Sequence, residues 1–476
     1  MALLEQESRG GCKLPGCARA GHLESGRWRQ RAPGKLRAMT TKVALIGAGC
    51  SGFTTAKRLQ DAGIAFDWFE ASDRIGGNWA YDNPNGMSSA YQSLHIDTSK
   101  WRLQFEEFPV PADWPDFPHH SLIAQYFNDY VDHFGLRRLV QFQTPVIRAA
   151  RRSGGLWDVT THRGTASYRA VVVANGHHWS PNRPVWDGDF AGTIIHAHDY
   201  RTPFAPIDLI GKRVLVVGLG NSAVDIASEL GQRSITEKCF VSTRRGVWVL
   251  PKYFNGVPAD KQAAPSWLPL PVARWIGRRK VKQLVGNMDD YGLPVPDHQP
   301  LDAHPTVSGE FLTRLGSGDI GVKPEIARLD GDGVIFADGS REVIDAIITA
   351  TGYDIDFPFL DPADARVTGN HIPLYKRMVQ ADPALHGLWF MGLAQTLPTL
   401  VNLAEQQSKL LAAYLAGDYA LPPPAEMARV IAAEEKRYQG HYYASRRHTM
   451  QVNFEPYVAD LAAEIRRGAR RTARAA

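Results

Sequence analysis

Two short apolar runs, each followed by a glycine-rich turn, stand out along the chain. The first run covers residues 42–46 and leads into G-A-G-C-S-G at residues 47–52; the second covers residues 212–217 and leads into G-L-G-N-S-A at residues 218–223. Continuous apolar runs with β-branched members are typical of buried parallel strands. A helical pattern follows each turn, so the sequence predicts two strand–turn–helix units.

The first turn has the spacing of a dinucleotide-binding turn. Gly47 permits a tight turn, Gly49 lets the backbone approach a diphosphate, and Gly52 lets helix and strand pack closely. A second apolar run, residues 65–69, ends at Glu70, whose carboxylate would accept hydrogen bonds from ribose hydroxyls. These features follow in order within about 30 residues, the span of one βαβ unit. The pattern predicts a dinucleotide site; a glycine turn that only packs is the alternative.

The second turn differs in the charge that follows it. Ala223 takes the place of the third glycine, and the next predicted strand, residues 239–243, is followed by Arg244 and Arg245. Guanidinium groups favour a 2′-phosphate, so this site predicts NADPH rather than NADH. A surface arginine pair without a ligand is the alternative. Two nucleotide sites of opposite charge preference imply hydride transfer between two cofactors, and therefore an oxidoreductase.

The segment after Glu70 bears on the first cofactor. It reads R-I-G-G-N-W at residues 74–79. A glycine pair followed by tryptophan resembles the corresponding segment of FAD-binding flavoproteins that carry two dinucleotide sites. The resemblance implies FAD at the first turn, whereas a glycine turn with a buried tryptophan is the alternative.

Further motifs resemble those of flavin-containing monooxygenases. Residues 190–200 read F-A-G-T-I-I-H-A-H-D-Y and are similar to the family fingerprint F-x-G-x-x-x-H-x-x-x-Y. Residues 345–353 resemble the family's A-T-G-Y strand, and residues 171–176 resemble the matching linker strand. Residues 388–392, followed by a helical pattern over 402–415, resemble the closing strand and helix of the FAD domain. The resemblance covers residues 42 to about 415 in the family's order.

The resemblance implies an FAD-containing, NADPH-dependent monooxygenase. In that mechanism NADPH passes a hydride to flavin N5, and reduced flavin binds O₂ at C4a to give a hydroperoxide. The distal oxygen then goes to a soft nucleophile, such as a tertiary amine or a thioether, of a small lipophilic substrate. His196 would help to couple NADPH to the flavin, and a packed structural histidine is the alternative. We do not interpret His196 as an acid–base catalyst.

One position departs from the family. Where the family has an asparagine that hydrogen-bonds the flavin intermediate and NADP⁺, this chain has Asp97. A carboxylate donates a hydrogen bond only when it is protonated. An ionised Asp97 would disfavour an anionic peroxide nearby, whereas a dry pocket would raise its pKa and make it a neutral donor. Both alternatives stay open, and leakage of H₂O₂ is one consequence.

Related activities differ in particular residues. The fingerprint of Baeyer–Villiger monooxygenases typically ends in tryptophan, whereas this one ends in Tyr200, which favours oxygenation of nitrogen or sulfur over oxygenation of a ketone. Asp97 keeps open an uncoupled NADPH oxidase or a flavin-binding protein without turnover. Disulfide reductases need a redox cysteine pair, but Cys50 and Cys239 lie beside different turns.

These motifs define the candidate site. The catalytic candidates are Asp97, His196 and Tyr200, and no metal ligands are expected. The candidate residues for binding FAD and NADPH are Gly47, Gly49, Cys50, Ser51, Gly52, Glu70, Gly77, Asn78, Trp79, His95, Thr98, Val146, Gly218, Gly220, Asn221, Ser222, Ala223, Asp225, Thr243, Arg244, Arg245, Thr351, Gly352, Tyr353 and Gln395.

The predicted fold is α/β, with two doubly wound Rossmann-type domains and the NADPH domain inserted in the FAD domain. The FAD domain takes residues 39–180 and 345–476, ending in helices. The NADPH domain takes residues 185–340, with a mostly helical insertion over about 246–325. A small antiparallel crossover is expected near residues 155–168. Residues 1–38 are interpreted as a disordered extension, with Met39 as the natural start.

Composition adds limits on location and partners. A hydrophobic share of 44% with 22% charged residues and a net charge of +5 is ordinary for a globular protein. The expected partners are a small-molecule substrate and O₂, without nucleic acid. No run of about 18 apolar residues occurs, and the sparse cysteines favour a reducing compartment, so the cytoplasm is predicted. Peripheral membrane contact and a homodimer stay open.

Overall fold

A computed structural model describes residues 42–262, 270–300, 302, 305–397, 399–439 and 450–475. The predicted extension, residues 1–38, lies outside them. The strands are β1 Val43–Ile46, β2 Phe66–Phe69, β3 Val140–Gln141, β4 Val146–Arg151, β5 Trp157–Thr161, β6 Gly164–Tyr168, β7 Ala170–Val173, β8 Thr193–His196, β9 Arg213–Val217, β10 Lys238–Ser242, β11 Val249–Leu250, β12 Tyr253–Phe254, β13 Val257–Pro258, β14 Thr306–Val307, β15 Ile320–Lys323, β16 Ile326–Asp330, β17 Gly333–Phe336, β18 Arg341–Val343, β19 Ala346–Thr349, β20 Leu388–Phe390, β21 Gln395–Leu397 and β22 Gln451–Asn453.

The α-helices lie between groups of these strands along the chain. They are α1 Cys50–Asp61, α2 Lys100–Leu103, α3 His120–His133, α4 Asn221–Leu230, α5 Leu270–Val285, α6 Phe311–Gly316, α7 Pro362–Ala365, α8 Val401–Ala416, α9 Pro424–Gln439 and α10 Phe454–Ala475. Within the part of the chain that the structure describes, none of them is long and apolar enough to cross a bilayer.

The first sheet is parallel and has the strand order β20-β7-β1-β2-β3. Strand β1 is buried along its whole length because β2 and β7 pair with its two edges. One face, with Val43 and Leu45, packs with residues of α1 and α8, and the other face packs with residues of the strands β4–β6. The register of β1 pairs Ile46 with both Phe69 and Val173. The carboxyl ends of β1, β2 and β7 therefore lie side by side, and parallel α/β sheets bind ligands at the carboxyl ends of their strands.

The second sheet repeats this arrangement with the order β15-β10-β9-β19-β8. Val217 at the end of β9 pairs with Ser242 of β10 and with Thr349 of β19. Strand β19 lies beside β9 in this sheet, although the sequence analysis assigned residues from 345 onward to the FAD domain. The apolar sequence of β19 fits either sheet equally well. Only its observed pairing with β9 shows that it belongs to the second sheet.

The predicted crossover and insertion have different outcomes. Strands β4, β5 and β6 form the expected small antiparallel sheet, which begins earlier than residue 155, at Val146. The insertion over 246–325 is mixed rather than mostly helical, because it contains the hairpin β12–β13 and ends in a strand. That strand, β15, is an edge strand of the second parallel sheet, paired with β10, so the insertion is shorter than expected.

Candidate active site

The glycine turn after β1 brings three chain segments into close contact. Gly47 has a φ of 103°, and a Cβ built on it would lie 2.4 Å from the carbonyl oxygen of Ala174. A Cβ on Gly52 would lie 1.9 Å from the carbonyl oxygen of Gly47. Both positions therefore require glycine. Helix α1 begins at Cys50, so its unpaired N–H groups face the edge of the sheet, as a diphosphate site requires.

A second glycine pair faces this turn. Gly76 and Gly77 have φ values of 131° and 56°, and a Cβ on Gly77 would lie 3.0 Å from Cα of Gly49. The two segments can approach so closely only because neither carries a side chain at this point. Trp79 ends the short 3₁₀ helix that follows and lines the cavity described below. The predicted flavin motif therefore lies against the first turn.

Glu70 is fixed at the end of β2. Its Oε2 accepts a hydrogen bond from the Ala48 backbone N–H at 2.6 Å, and its Oε1 accepts one from the Ser72 backbone N–H at 2.7 Å. The residue is buried, with 8% of its surface exposed. Each carboxylate oxygen has a second lone pair, so Glu70 can still accept hydrogen bonds from ribose hydroxyls. This arrangement fits the ribose of a dinucleotide.

The turn after β9 has the same backbone shape. Gly218 has a φ of 122°, and a Cβ on it would lie 2.6 Å from the carbonyl oxygen of Ala350. Helix α4 begins directly after the turn, at Asn221. The Asn221 side-chain oxygen accepts a hydrogen bond from the Val307 backbone N–H at 3.0 Å, so this predicted cofactor residue also holds strand β14 against the turn.

The chain after β10 carries the predicted phosphate-binding residues. Arg244 and Arg245 are both exposed and both line the cavity. Thr243 donates a hydrogen bond from Oγ1 to the carbonyl oxygen of Arg245 at 2.7 Å, which fixes the bend that holds the two arginines. Their position at the edge of the sheet fits a 2′-phosphate on a nucleotide bound at the second turn.

Both turns open into one cavity of about 1930 Å³. A site for a single small ligand usually has roughly 300–1,000 Å³, so this cavity has room for two dinucleotides. Four candidate residues do not line it, namely Gly52, Ala223, Asp225 and Tyr200; the other candidate residues do. Gly52 and Ala223 lie where helix and strand pack, which is the role that the turn pattern gives them.

Asp97 lies in the cavity wall, in an ion pair. Its Oδ1 is 3.2 Å from Lys252 Nζ, and the two side chains are 21% and 18% exposed. Burial raises the pKa of Asp97, while the Lys252 ammonium opposes that rise. The sequence by itself allows Asp97 to be a bare carboxylate or a neutral donor. The structure corrects this picture, because a cation from a distant segment faces the carboxylate.

Asp225 contacts the protein rather than the cavity. Its Oδ2 accepts a hydrogen bond from the Tyr91 hydroxyl at 2.7 Å. Burial and the nearby charge of Asp97 raise the pKa of Asp225 to about 7. Asp225 does not line the cavity, so the structure gives no support for its direct contact with a cofactor; the residue joins helix α4 to Tyr91.

Tyr200 also acts through other residues. It is fully buried and donates a hydrogen bond from its hydroxyl to Glu229 Oε2 at 2.8 Å. The same carboxylate oxygen accepts a hydrogen bond from Ser93 Oγ at 2.9 Å. Tyr200 does not line the cavity, so the structure does not place it among the residues that could contact a cofactor.

His196 is buried at the end of β8 and lines the cavity. Its Nδ1 accepts a hydrogen bond from the His198 backbone N–H at 3.0 Å, which leaves the ring proton on Nε2. Its ring centroid is 5.4 Å from that of Tyr353. Burial lowers the pKa of His196 to about 4, so the ring is neutral at physiological pH. This agrees with the interpretation that His196 is not an acid–base catalyst.

The insertion contributes charged residues to the cavity wall that the sequence did not predict. Lys252 and Asp260 both line the cavity, and both lie in or beside the hairpin β12–β13. The local sequence has no motif spacing that distinguishes them from solvent-facing residues. The one signal for Lys252 is the need of Asp97 for a cation, and the sequence does not indicate which of the chain's cations meets that need.

The sequence matches a family and several known proteins. The family described as "Flavin-binding monooxygenase-like" matches residues 40–470. The chain is 35% identical over 450 residues to "Dimethylaniline monooxygenase [N-oxide-forming] 2" of Rattus norvegicus, covering 90% of this chain and 83% of that protein.

Solved structures agree at the level of the fold. The S-allyl-L-cysteine S-oxygenase of Allium sativum is 25% identical, with a TM-score of 0.66 over 89% of this chain and 88% of that one. An oxidised steroid monooxygenase bound to NADP is 19% identical, with a TM-score of 0.67 over 90% of this chain and 98% of that one. The family match covers most of the chain, and the glycine turns, Glu70 and the arginine pair fit the two cofactors. The chain therefore belongs to the flavin-binding monooxygenase-like family and uses FAD and NADPH.

Proposed function

We propose that this enzyme uses NADPH and O₂ to oxygenate a soft nucleophilic nitrogen or sulfur atom of a small lipophilic substrate. The observation that carries the proposal is the single cavity into which both glycine turns open. Hydride transfer requires two cofactors in one water-poor space, and a cavity of about 1930 Å³ accommodates them. FAD is proposed at the first turn and NADPH at the second.

The chain's own residues bind and orient the cofactors in this proposal. The first turn and the buried Glu70 carboxylate would hold the diphosphate and ribose of FAD. Arg244 and Arg245 would hold the 2′-phosphate of NADPH. Bound FAD would supply the chemistry, by accepting a hydride from NADPH and activating O₂. Neutral His196 would orient groups near the junction of the two sites without exchanging a proton near neutral pH.

Two observations support oxygenation of nitrogen or sulfur. The fingerprint ends in Tyr200, where the Baeyer–Villiger fingerprint typically ends in tryptophan. The similar proteins from Rattus norvegicus and Allium sativum are named as N-oxide-forming and S-oxygenating enzymes. We propose the same class of reaction here, with oxygenation of a ketone as the alternative that a substrate panel would reveal.

A specific observation favours a second candidate function. Asp97 places a carboxylate, paired with Lys252, in the cavity wall where the resemblance implies an uncharged amide donor. A carboxylate in place of an amide would give the oxygenating state one hydrogen-bond donor fewer, which would favour release of H₂O₂. An NADPH oxidase with little oxygenation is therefore the second candidate.

Rapid kinetics distinguishes the two candidates. The holoprotein is reduced anaerobically with NADPH and mixed with O₂ in a stopped-flow spectrophotometer. A transient near-ultraviolet band, distinct from those of oxidised and reduced flavin, is expected from the proposed monooxygenase. Direct return to oxidised flavin with one H₂O₂ per NADPH would instead establish the oxidase. Failure of NADPH to reduce the flavin would contradict both candidates.

We also propose a domain division and a location. The FAD domain would take residues 39–180 and the chain after Thr349, and the NADPH domain would take the segment that contains strands β8–β19. Action in the cytoplasm on a small molecule and O₂ is proposed from the sequence. A homodimer and peripheral membrane contact remain predictions, for sedimentation and for liposome flotation to test.

A further inference from the structure

Residues 252–261, which contain the hairpin β12–β13, contact the flavin-side segment 97–117 at several points. Lys252 pairs with Asp97 at 3.2 Å. Tyr253 donates a hydrogen bond from its hydroxyl to Asp116 Oδ2 at 3.0 Å. Asp260 Oδ2 accepts a hydrogen bond from the Ser99 backbone N–H at 2.7 Å. The hairpin therefore holds Lys252 against the cavity wall from outside the flavin-side segment.

Lys252 is held where its charge acts on the cavity. Its side chain is 18% exposed, and its ammonium lies 5.3 Å from the centroid of the Phe117 ring. Both Lys252 and Asp97 line the cavity. An ammonium that is partly desolvated interacts more strongly with nearby charges than one in bulk water. Lys252 is thus suited to set the electrostatics of this wall.

The charge balance explains why a cation is needed here. The negative charge of Asp97 contributes to the raised pKa of Asp225, so two acids share this region. A single buried carboxylate without a partner is costly. Lys252 compensates Asp97, and Tyr91 satisfies Asp225 with a hydroxyl donor.

We propose that Lys252 is a positioning residue for the flavin reaction: its ammonium fixes the Asp97 carboxylate and cancels its charge at the cavity wall. A hydride from NADPH would bring two electrons and one proton to bound FAD and would leave a negative charge on it. An uncompensated carboxylate would disfavour that charge, whereas the Lys252–Asp97 pair does not. The inference rests on the proposed place of FAD and holds for any oxygenated substrate.

The test is a double-mutant cycle on the FAD-loaded holoprotein, with K252M, D97N and K252M/D97N. The FAD reduction potential is measured anaerobically with a reference dye and without NADPH, and H₂O₂ released per NADPH oxidised is measured separately. K252M is expected to lower the potential and to raise the H₂O₂ share several-fold, because Asp97 is left unpaired. K252M/D97N, which lacks both charges, is expected to match the wild-type potential, whereas D97N leaves the Lys252 ammonium alone and is expected to raise it.

Two controls separate charge from structure. Lys252→Arg keeps the cation and is expected to retain the wild-type potential. Lys261→Met removes a lysine of the same segment that lies 3.7 Å from the centroid of the Trp101 ring and does not line the cavity. It is expected to leave the potential and the H₂O₂ share unchanged. Unfolding temperatures of all variants report any purely structural effect.

Several results would overturn the inference. These are a K252M/D97N potential as low as that of K252M, or a lowered unfolding temperature of K252M with an unchanged potential. If K252M does not retain FAD, K252M/D97N is compared with the wild type, and a large difference between their potentials overturns the inference. A wild-type protein that does not bind FAD would instead contradict the proposed function.

Discussion

The turn after β1 and the turn after β9 have the same backbone conformation at their first glycine, but the residues that follow the next strand carry opposite charges. Gly47 and Gly218 both have positive φ values, and each lies against the carbonyl oxygen of the residue after a neighbouring strand. The first turn is followed by a buried carboxylate with two backbone hydrogen bonds, Glu70, and the second by two exposed guanidinium groups. The same backbone shape, which suits a diphosphate, thus occurs twice, with opposite charges beyond it.

The packing of the following helices differs as well. A Cβ on Gly52 would lie 1.9 Å from the Gly47 carbonyl oxygen, whereas Ala223 carries a Cβ at the matching position and is fully buried. Seven residues after the first glycine, helix α1 has Thr54 and helix α4 has Asp225, which bonds Tyr91. The second helix is therefore joined to Tyr91 by a polar contact, whereas Thr54 of α1 bonds a carbonyl oxygen of its own helix.

The largest expected effect separates the two turns by cofactor. Gly47→Ala forces a left-handed residue and a clash with Ala174, costing at least about 1–3 kcal/mol in backbone strain. The purified variant is expected to lack FAD absorbance. Gly218→Ala carries the same strain at the other turn and is expected to retain FAD but lose reduction by NADPH.

A matched glycine variant controls for the added methyl group. Gly309→Ala adds a Cβ with nothing within 4 Å and is expected to keep both cofactors. Loss of FAD from Gly218→Ala, with FAD retained in Gly47→Ala, would reverse the assignment of the two turns.

The next effect tests the charge that distinguishes the turns. In Arg244→Ser/Arg245→Ser the 2′-phosphate loses its charge-assisted hydrogen bonds, so the KM for NADPH is expected to rise about 10- to 100-fold. The KM for NADH should change little, because NADH has no 2′-phosphate. Steady-state kinetics with both nucleotides measures the difference. Arg233→Ser, at an arginine that does not line the cavity, is the control. Equal increases for NADPH and NADH would contradict the assignment.

A smaller effect is expected at Asp225, on the way the free energy of unfolding depends on pH. This carboxyl keeps its proton in the folded chain up to a pKa of about 7, against an ordinary value of 3.8. The folded state then binds more protons than the unfolded state between these values, so Asp225 makes the free energy of unfolding fall as pH rises from about 4 through about 7. Asp225→Asn should lose this part of the fall.

Thermal unfolding of the two proteins between pH 4 and 8 measures that difference. Asp113→Asn, on an exposed loop residue, is the control. A wild-type and D225N pair whose difference in unfolding temperature does not change with pH would contradict the raised pKa and the burial that causes it.

Much of the fold follows from local patterns. The apolar runs at β1 and β9, the glycine turns and the helices after them are all where the sequence predicts them, because each depends on residues within a few positions. The partners of short strands depend on distant segments. That is why β19 was counted with the wrong sheet and why β15, within the predicted insertion, was not recognised as a parallel edge strand.

The sequence by itself determined two dinucleotide turns of opposite charge preference, because glycine spacing and the residue after a strand are local signals with a direct physical meaning. Only the tertiary structure decided which charges meet. It paired Asp97 with Lys252, directed Asp225 to Tyr91 and buried Tyr200 against Glu229. These contacts join residues far apart in the chain, and no local pattern encodes a partner that folding alone brings within hydrogen-bonding distance.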